Sequence, residues 1–444
     1  MRKIIVLAVS IMLIIVLSAC AGTSDTVIPA EAETPVLQED IAPPELEPPV
    51  IEGPNAPEPE PETELEPEVE RTNVVFAAQG DATDGTRALL DAFNESQDLY
   101  TVVWEEMTND SGVMREQLIT SLQAGSSEYD VVSLDVVWAG EFAAAGFIEP
   151  IDTYMRDAGL TIAQFNAGSM ASGRYGAMQY VLPFFPDVGF LYFRSDIVSE
   201  ENAARLVAGD YTFADLLEMA ETYQGVGGTI DGHVFQSGLY EGLTCNVNEF
   251  TSNWQDIRGG LEIMKAFVDS YATPVDILGY TEGETHNSFI NGQSVFARNW
   301  PYQWGMILSE GEISTDQVDV APLPGGGTVG GWLMAMNSNS QNKDGAWALM
   351  EFIATHEGQR IFSTVGGYLP GFNATLEDPE VIANNELLTK PGFQMALTTS
   401  IARPISSEYA RVSDEIQQAV HSFLAGDAEL DETVAAVEAA LEGA

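Results

Sequence analysis

Basic residues are scarce in this chain. It carries 17 Lys and Arg against 68 Asp and Glu in 444 residues, a formal net charge of −51. That balance excludes a charged face for DNA, RNA or anionic lipid, all of which need clustered cations. Cysteine is nearly absent, at two residues, Cys20 and Cys245. No disulfide framework can be built from that pair if Cys20 has another use, and Cys245 reads as a small buried hydrophobe rather than a nucleophile. The four histidines are scattered without metal-ligand spacing, which argues against a zinc site. No Gly-x-Ser-x-Gly elbow occurs. Gly325-Gly326-Gly327 lacks the Lys and helix start of a phosphate loop. These absences leave no cofactor, no metal and no catalytic residue to expect. The length suits two domains with sizeable cores.

What is present begins with an address. Arg2-Lys3 precedes an apolar stretch from Ile4 to Leu17, followed by Leu17-Ser18-Ala19-Cys20. The last four resemble the bacterial lipobox, which implies a signal peptide over 1–19 and a lipid thioether on Cys20. The alternative is an uncleaved anchor, but the apolar run falls short of the roughly 20 residues a spanning helix needs. Several acyl chains would give stable anchoring to the outer face of the cell membrane. Residues 20–72 are then dominated by Pro and Glu and contain no aromatic residue. Such a segment buries too little apolar surface to fold. As an extended tether at about 3.1 Å per residue it would reach on the order of 150 Å.

From residue 73 onward, buried runs alternate with helical periodicity. Val74–Ala78, Thr101–Trp104 and Tyr129–Leu134 read as strands; Thr86–Asn94 and Gly112–Ala124 read as helices between them. This alternation predicts an α/β fold with a parallel, doubly wound sheet. Gln179–Phe193 carries two prolines and predicts two short strands broken at Asp187, crossing between lobes. Val318–Pro324 reads as a second crossing. Thr212 and Asp215 form a capping box for a helix to Tyr223. Val329–Met336 reads as a strand whose paired glycines, Gly330 and Gly331, allow backbone or ligand to approach closely.

Three positions stand out chemically. Ser294–Arg298 reads as a strand feeding Asn299-Trp300-Pro301-Tyr302-Gln303-Trp304-Gly305. Pro301 suits the first position of a helix, so Trp300 falls at a strand-to-helix junction, where open α/β sheets bind ligands. Trp304 reads as core. Asp135, past the end of a buried strand, is either a cleft carboxylate or a helix N-cap. Asp187 is either a second cleft carboxylate or a turn residue after Pro186.

Several stretches in one order resemble the extracellular solute-binding proteins of ABC sugar importers, closest to the trehalose/maltose-binding branch. They are Asp130–Phe142, Leu182–Arg194, Tyr240-Glu241-Gly242-Leu243, Arg298–Gly305, Gly330-Gly331-Trp332 and Ala402-Arg403-Pro404-Ile405. The resemblance implies a type II periplasmic-binding-protein-like fold: lobe I over 73–182 and 322–366, lobe II over 183–321 and 367–444, hinge crossovers, and a ligand cleft between the lobes. It implies that Asp135 and Asp187 grip sugar hydroxyls, Trp300 and Trp332 stack on the sugar, Arg403 donates to hydroxyls and the Gly331 backbone faces the ligand. Asp84 matches an acidic contact in the first loop. Phe185 stands where the family carries Tyr, and Met114, beside Arg115, where it carries Arg. The implied partners are a sugar, a disaccharide for this branch, the permease subunits of an ABC transporter and the membrane through the lipid; the protein would be a monomer. Sugar hydroxyls donate and accept, carboxylates and guanidinium groups answer them, and sugar C–H faces sit on aromatic rings. The competing readings are an extracellular glycosidase, with two carboxylates about 5 to 10 Å apart, a ligand-free surface scaffold, and the same fold holding a sugar alcohol or longer glycan.

Overall fold

The computed structural model describes residues 71–403 and 408–442. Cys20, the signal peptide and the tether as far as residue 70 lie outside the described residues. Strands, in chain order, are β1 (Thr72–Gln79), β2 (Tyr100–Met107), β3 (Val131–Asp135), β4 (Arg174–Tyr175), β5 (Met178–Gln179), β6 (Val181–Val188), β7 (Phe190–Arg194), β8 (Asp231–Val234), β9 (Ser294–Asn299), β10 (Val318–Ala321) and β11 (Val329–Met336). Two sheets hold all of these except β4 and β5, which pair with each other as an antiparallel ribbon. A five-stranded sheet has the order β2-β1-β3-β11-β6, and a four-stranded sheet the order β10-β7-β9-β8.

Both sheets are covered on both faces, which is why their strands read as continuous apolar runs. Along β1, Val74, Phe76 and Ala78 pack with Leu89, Phe93 and Trp347. Ala77, on the other face, packs with Leu118 and Phe142. Along β7, Leu191 and Phe193 enter one core, while Phe190 and Tyr192 enter another with Trp304. Helix starts follow local chemistry. Thr212 and Asp215 close the expected capping box, and Asp256 caps Ile257–Asp269 through Gly259 N.

The sheets are mixed, not parallel. β1 runs parallel to β2 and β3, but β11 is antiparallel to both β3 and β6. The helical alternation could not reveal this, because β11 returns to the first sheet from far along the chain. Two strands and a crossing fall within Gln179–Phe193 as expected, but the break lies at Gly189 rather than Asp187, so β6 runs unbroken across Pro183 and Pro186. It occupies a sheet edge, where a missing N–H interrupts no ladder, and the register against β11 shifts between Trp332 and Leu333. The chain therefore leaves the first sheet at Gly189, beyond residue 182, and returns between β10 and β11. Glycine is required at these crossings: a Cβ on Gly327 would lie 1.7 Å from the Gly189 carbonyl oxygen, and one on Gly189 would lie 2.3 Å from the Arg298 guanidinium.

Candidate functional site

A cavity of about 570 Å³ opens at the carboxyl ends of β1 and β3 and against β9 and β11. Asp135, Asp187, Trp300, Gly331, Trp332 and Arg403 all line it. Asp84 does not: it is exposed and caps Gly85–Ser96 without a side-chain bond. The neighbouring Asp81 holds that helix start instead, through Thr86 N at 2.7 Å, and accepts from the Tyr368 hydroxyl at 2.7 Å.

Asp135 closes β3, whose five residues are all buried, so its carboxylate emerges at the cavity wall. Arg403 meets it with Nη2 2.7 Å from Oδ1 and spends Nη1 on Glu241 at 2.8 Å. Glu241 begins the Glu241–Phe250 helix, where the helix dipole favours an anion, and also accepts from the Tyr409 and Ser413 hydroxyls. Arg403 is thus less free than the resemblance implies: its side chain is 2 % exposed and bridges two carboxylates. Burial works against its charge, but Asp135, Tyr409 and Glu241 hold its pKa well above the ordinary value. Only Nε is left without a partner among the described residues.

Asp187 sits near the end of β6, beside Gly330 of β11. Its Oδ1 is buried and has no hydrogen-bond partner among the described residues. Burial pushes its carboxyl well above the usual carboxylate range, against the pull of Arg298, and Glu282 and Asp135 add to the rise. Gln79 Oε1 and Ser111 Oγ, also on the cavity wall, are likewise buried without partners among the described residues.

Two indoles face the cavity. Trp300 lies between β9 and the Tyr302–Ser309 helix, as the Pro301 signal predicts. Its carbonyl accepts from the Tyr192 hydroxyl at 2.9 Å, fixing the turn. Trp332 is partly buried and packs edge-on against Trp138, with centroids 5.4 Å apart. Trp304, by contrast, is fully buried core.

The two departures are also explained. Phe185 is 5 % exposed and packs against Tyr368 at 4.6 Å, so an aromatic core rather than a hydroxyl occupies that wall. Met114 is wholly buried beside Leu118, while Arg115 turns to Glu141 at 2.6 Å and does not line the cavity.

Sequence reasoning missed several lining residues: Tyr240, Glu241, Glu282, His286, Tyr302 and Tyr368. Tyr240 and Glu241 lie in the Tyr240-Glu241-Gly242-Leu243 stretch and Tyr302 in Arg298–Gly305, but nothing in a lone sequence aims them inward. Cys245 also lines the cavity, and burial pushes its thiol up, away from nucleophilic character. Among the described residues no cluster of metal-ligating side chains occurs and no helix is long and apolar enough to cross a membrane.

Comparison with known proteins gives a consistent picture. The family model described as bacterial extracellular solute-binding protein matches residues 79–360, more than half of the chain. A probable ABC transporter-binding protein of Deinococcus radiodurans is 29 % identical over 341 residues, 68 % of this chain and 77 % of that one. A maltotriose-binding protein of Pyrococcus abyssi is 25 % identical over 310 residues, 65 % of this chain and 64 % of that one. The solved structure of maltose-bound T. maritima MalE3 superposes with a TM-score of 0.75 at 26 % identity, covering 84 % of this chain and 99 % of that chain.

Proposed function

The chain belongs to the bacterial extracellular solute-binding protein family, and we propose that it captures a carbohydrate, a disaccharide such as maltose or trehalose, in the cleft between its two sheets and hands it to an ABC permease. The observation that carries this reading is the cavity wall itself. Two indole faces stand beside unpartnered buried polar atoms of Asp187, Arg403, Gln79 and Ser111. An unmade buried hydrogen bond costs about 1–3 kcal/mol. A ligand with many hydroxyls and apolar ring faces answers both features at once. The relatives named for maltose and maltotriose support the class. The site residues of this reading are Asp135, Asp187, Trp300, Gly331, Trp332 and Arg403; Asp84 is left as an outer-loop residue.

Mechanistically, Asp187 and Trp332 stand on the five-stranded sheet, Trp300 on the four-stranded one, and Arg403 already joins Asp135 to Glu241 across them. A ligand touching both sides gains most when they approach, so binding shifts the population toward a closed form. We further propose that Cys20 carries lipid on the extracytoplasmic face, that the Pro/Glu segment acts as its tether, that the protein is a monomer, and that the lobes divide at the two crossings. Calorimetry against maltose, trehalose, maltotriose and glucose tests the cargo. The expected result is a dissociation constant near micromolar for at least one, about 8 kcal/mol of binding, with loss of tryptophan signal change in Trp300→Ala. Silence toward all four, and toward longer glycans, overturns the carbohydrate reading.

A further inference from the structure

Stacking on an indole requires that the ring hold one plane before the ligand arrives, because ordering it afterwards costs affinity. The torsion that turns an indole about its Cβ–Cγ bond is broad and does not fix the plane by itself. The surroundings of Trp300 do. Its back face lies on the Arg298 guanidinium, 4.0 Å from the ring centroid. Arg298 is itself immobilised, with Nε 2.8 Å from Glu249 and Nη1 3.1 Å from Gln236; it and Glu249 are each 1 % exposed. Along the far edge, Gly330 admits the six-membered ring, since a Cβ there would lie 3.0 Å from Cζ3. These contacts confine the ring but are not directional, so they do not choose between its two flipped states. One contact is directional: Nε1 donates to Glu282 Oε1 at 3.2 Å.

Glu282 is suited to that task. It opens the Glu282–Ile290 helix, which Thr281 and Glu284 cap reciprocally. Its second oxygen, Oε2, accepts from the Tyr240 hydroxyl at 2.7 Å. The Tyr302 hydroxyl reaches the Glu282 carbonyl at 3.4 Å and His286 Nδ1 at 2.8 Å, tying the helix start to the residue after Pro301. We infer that Glu282 is a positioning residue for the bound ligand: its carboxylate, braced by Tyr240, locks the flip state of Trp300 over the Arg298 guanidinium, so that the outward face is preset for stacking. This rests on the carbohydrate reading for the nature of the ligand, but the geometry of the ring does not.

The test is fluorine NMR of the full chain labelled with fluorotryptophan, with the Trp300 resonance assigned from Trp300→Phe. In the ligand-free protein, Glu282→Leu is expected to shift and broaden that resonance, and Glu282→Gln, which keeps an oxygen for the indole N–H, to restore it. Tyr240→Phe removes only the brace and is expected to shift it less, in the same direction; that variant keeps the test open if Glu282→Leu fails to fold. Maltose affinity is expected to fall about tenfold in Glu282→Leu, the scale of a lost hydrogen bond to a charged group, and to be largely recovered in Glu282→Gln. A Trp300 resonance unmoved in Glu282→Leu overturns the inference. So does an affinity loss with the resonance unmoved, which would make Glu282 a direct ligand contact. If the parent binds no carbohydrate, the cargo reading fails, while the ligand-free resonances still decide the positioning role.

Discussion

At the scale of single residues, the cleft is a place where charge is either paired or suppressed. Arg403 satisfies Asp135 and Glu241 together, while Asp187 is left buried with an unpartnered oxygen. Burial raises the folded-state pKa of Asp187 above its unfolded value. A carboxyl shifted in this direction contributes stability that is complete below the unfolded pKa, about 4, and is lost as pH rises toward the folded one. Asp187→Asn is uncharged in both states and escapes that loss. Its melting temperature is expected to exceed the parent's at about pH 8, with the gap closing toward about pH 4. Calorimetric melts at several pH values check this, and parallel curves would mean that the folded protein ionises Asp187 without penalty. Residue identity made Asp135, Asp187 and Trp300 visible in the sequence. It did not reveal that Glu282, distant in sequence from both Tyr240 and Trp300, serves both.

At the scale of elements, local periodicity carried most of the strands and helices. β11 and the Trp300 turn fall where alternation and Pro301 place them. The misreading of β6 arose because proline is judged against a central strand, and only the assembled sheet shows that β6 is at an edge. The paired glycines of β11 have separate physical tasks. Gly331 has φ +121°, and a Cβ there would lie 2.6 Å from the Phe185 carbonyl oxygen. Gly330 instead makes room for the Trp300 ring. Gly331→Ala is therefore expected to destabilise the fold by about 1–3 kcal/mol through backbone strain. Gly330→Ala should weaken ligand binding with a smaller effect on melting. Thermal melts paired with maltose titration separate the two, and equal melting temperatures would contradict the strain at Gly331.

At the scale of the whole molecule, a net charge of −51 sets a long-range repulsion that no single contact cancels. Raising salt from about 0.01 to about 1 M shortens the screening length from about 30 to about 3 Å. The melting temperature is expected to climb over that range, and a scanning calorimeter reads it directly; a flat response would show that the acidic groups are already neutralised by local pairing. The acidic composition, the α/β class and the aromatic turn were determined by the sequence, because each rests on residue content or on neighbours within a few residues. The tertiary structure alone decided that β11 runs antiparallel between β3 and β6, that Asp84 stands aside while Asp81 is used, and that Arg403 is shared between two carboxylates. Arg403 and Asp135 are 268 residues apart and Tyr368 and Asp81 are 287 apart, so no local pattern encodes that they will meet, although the bond from Thr86 N to Asp81 is itself local.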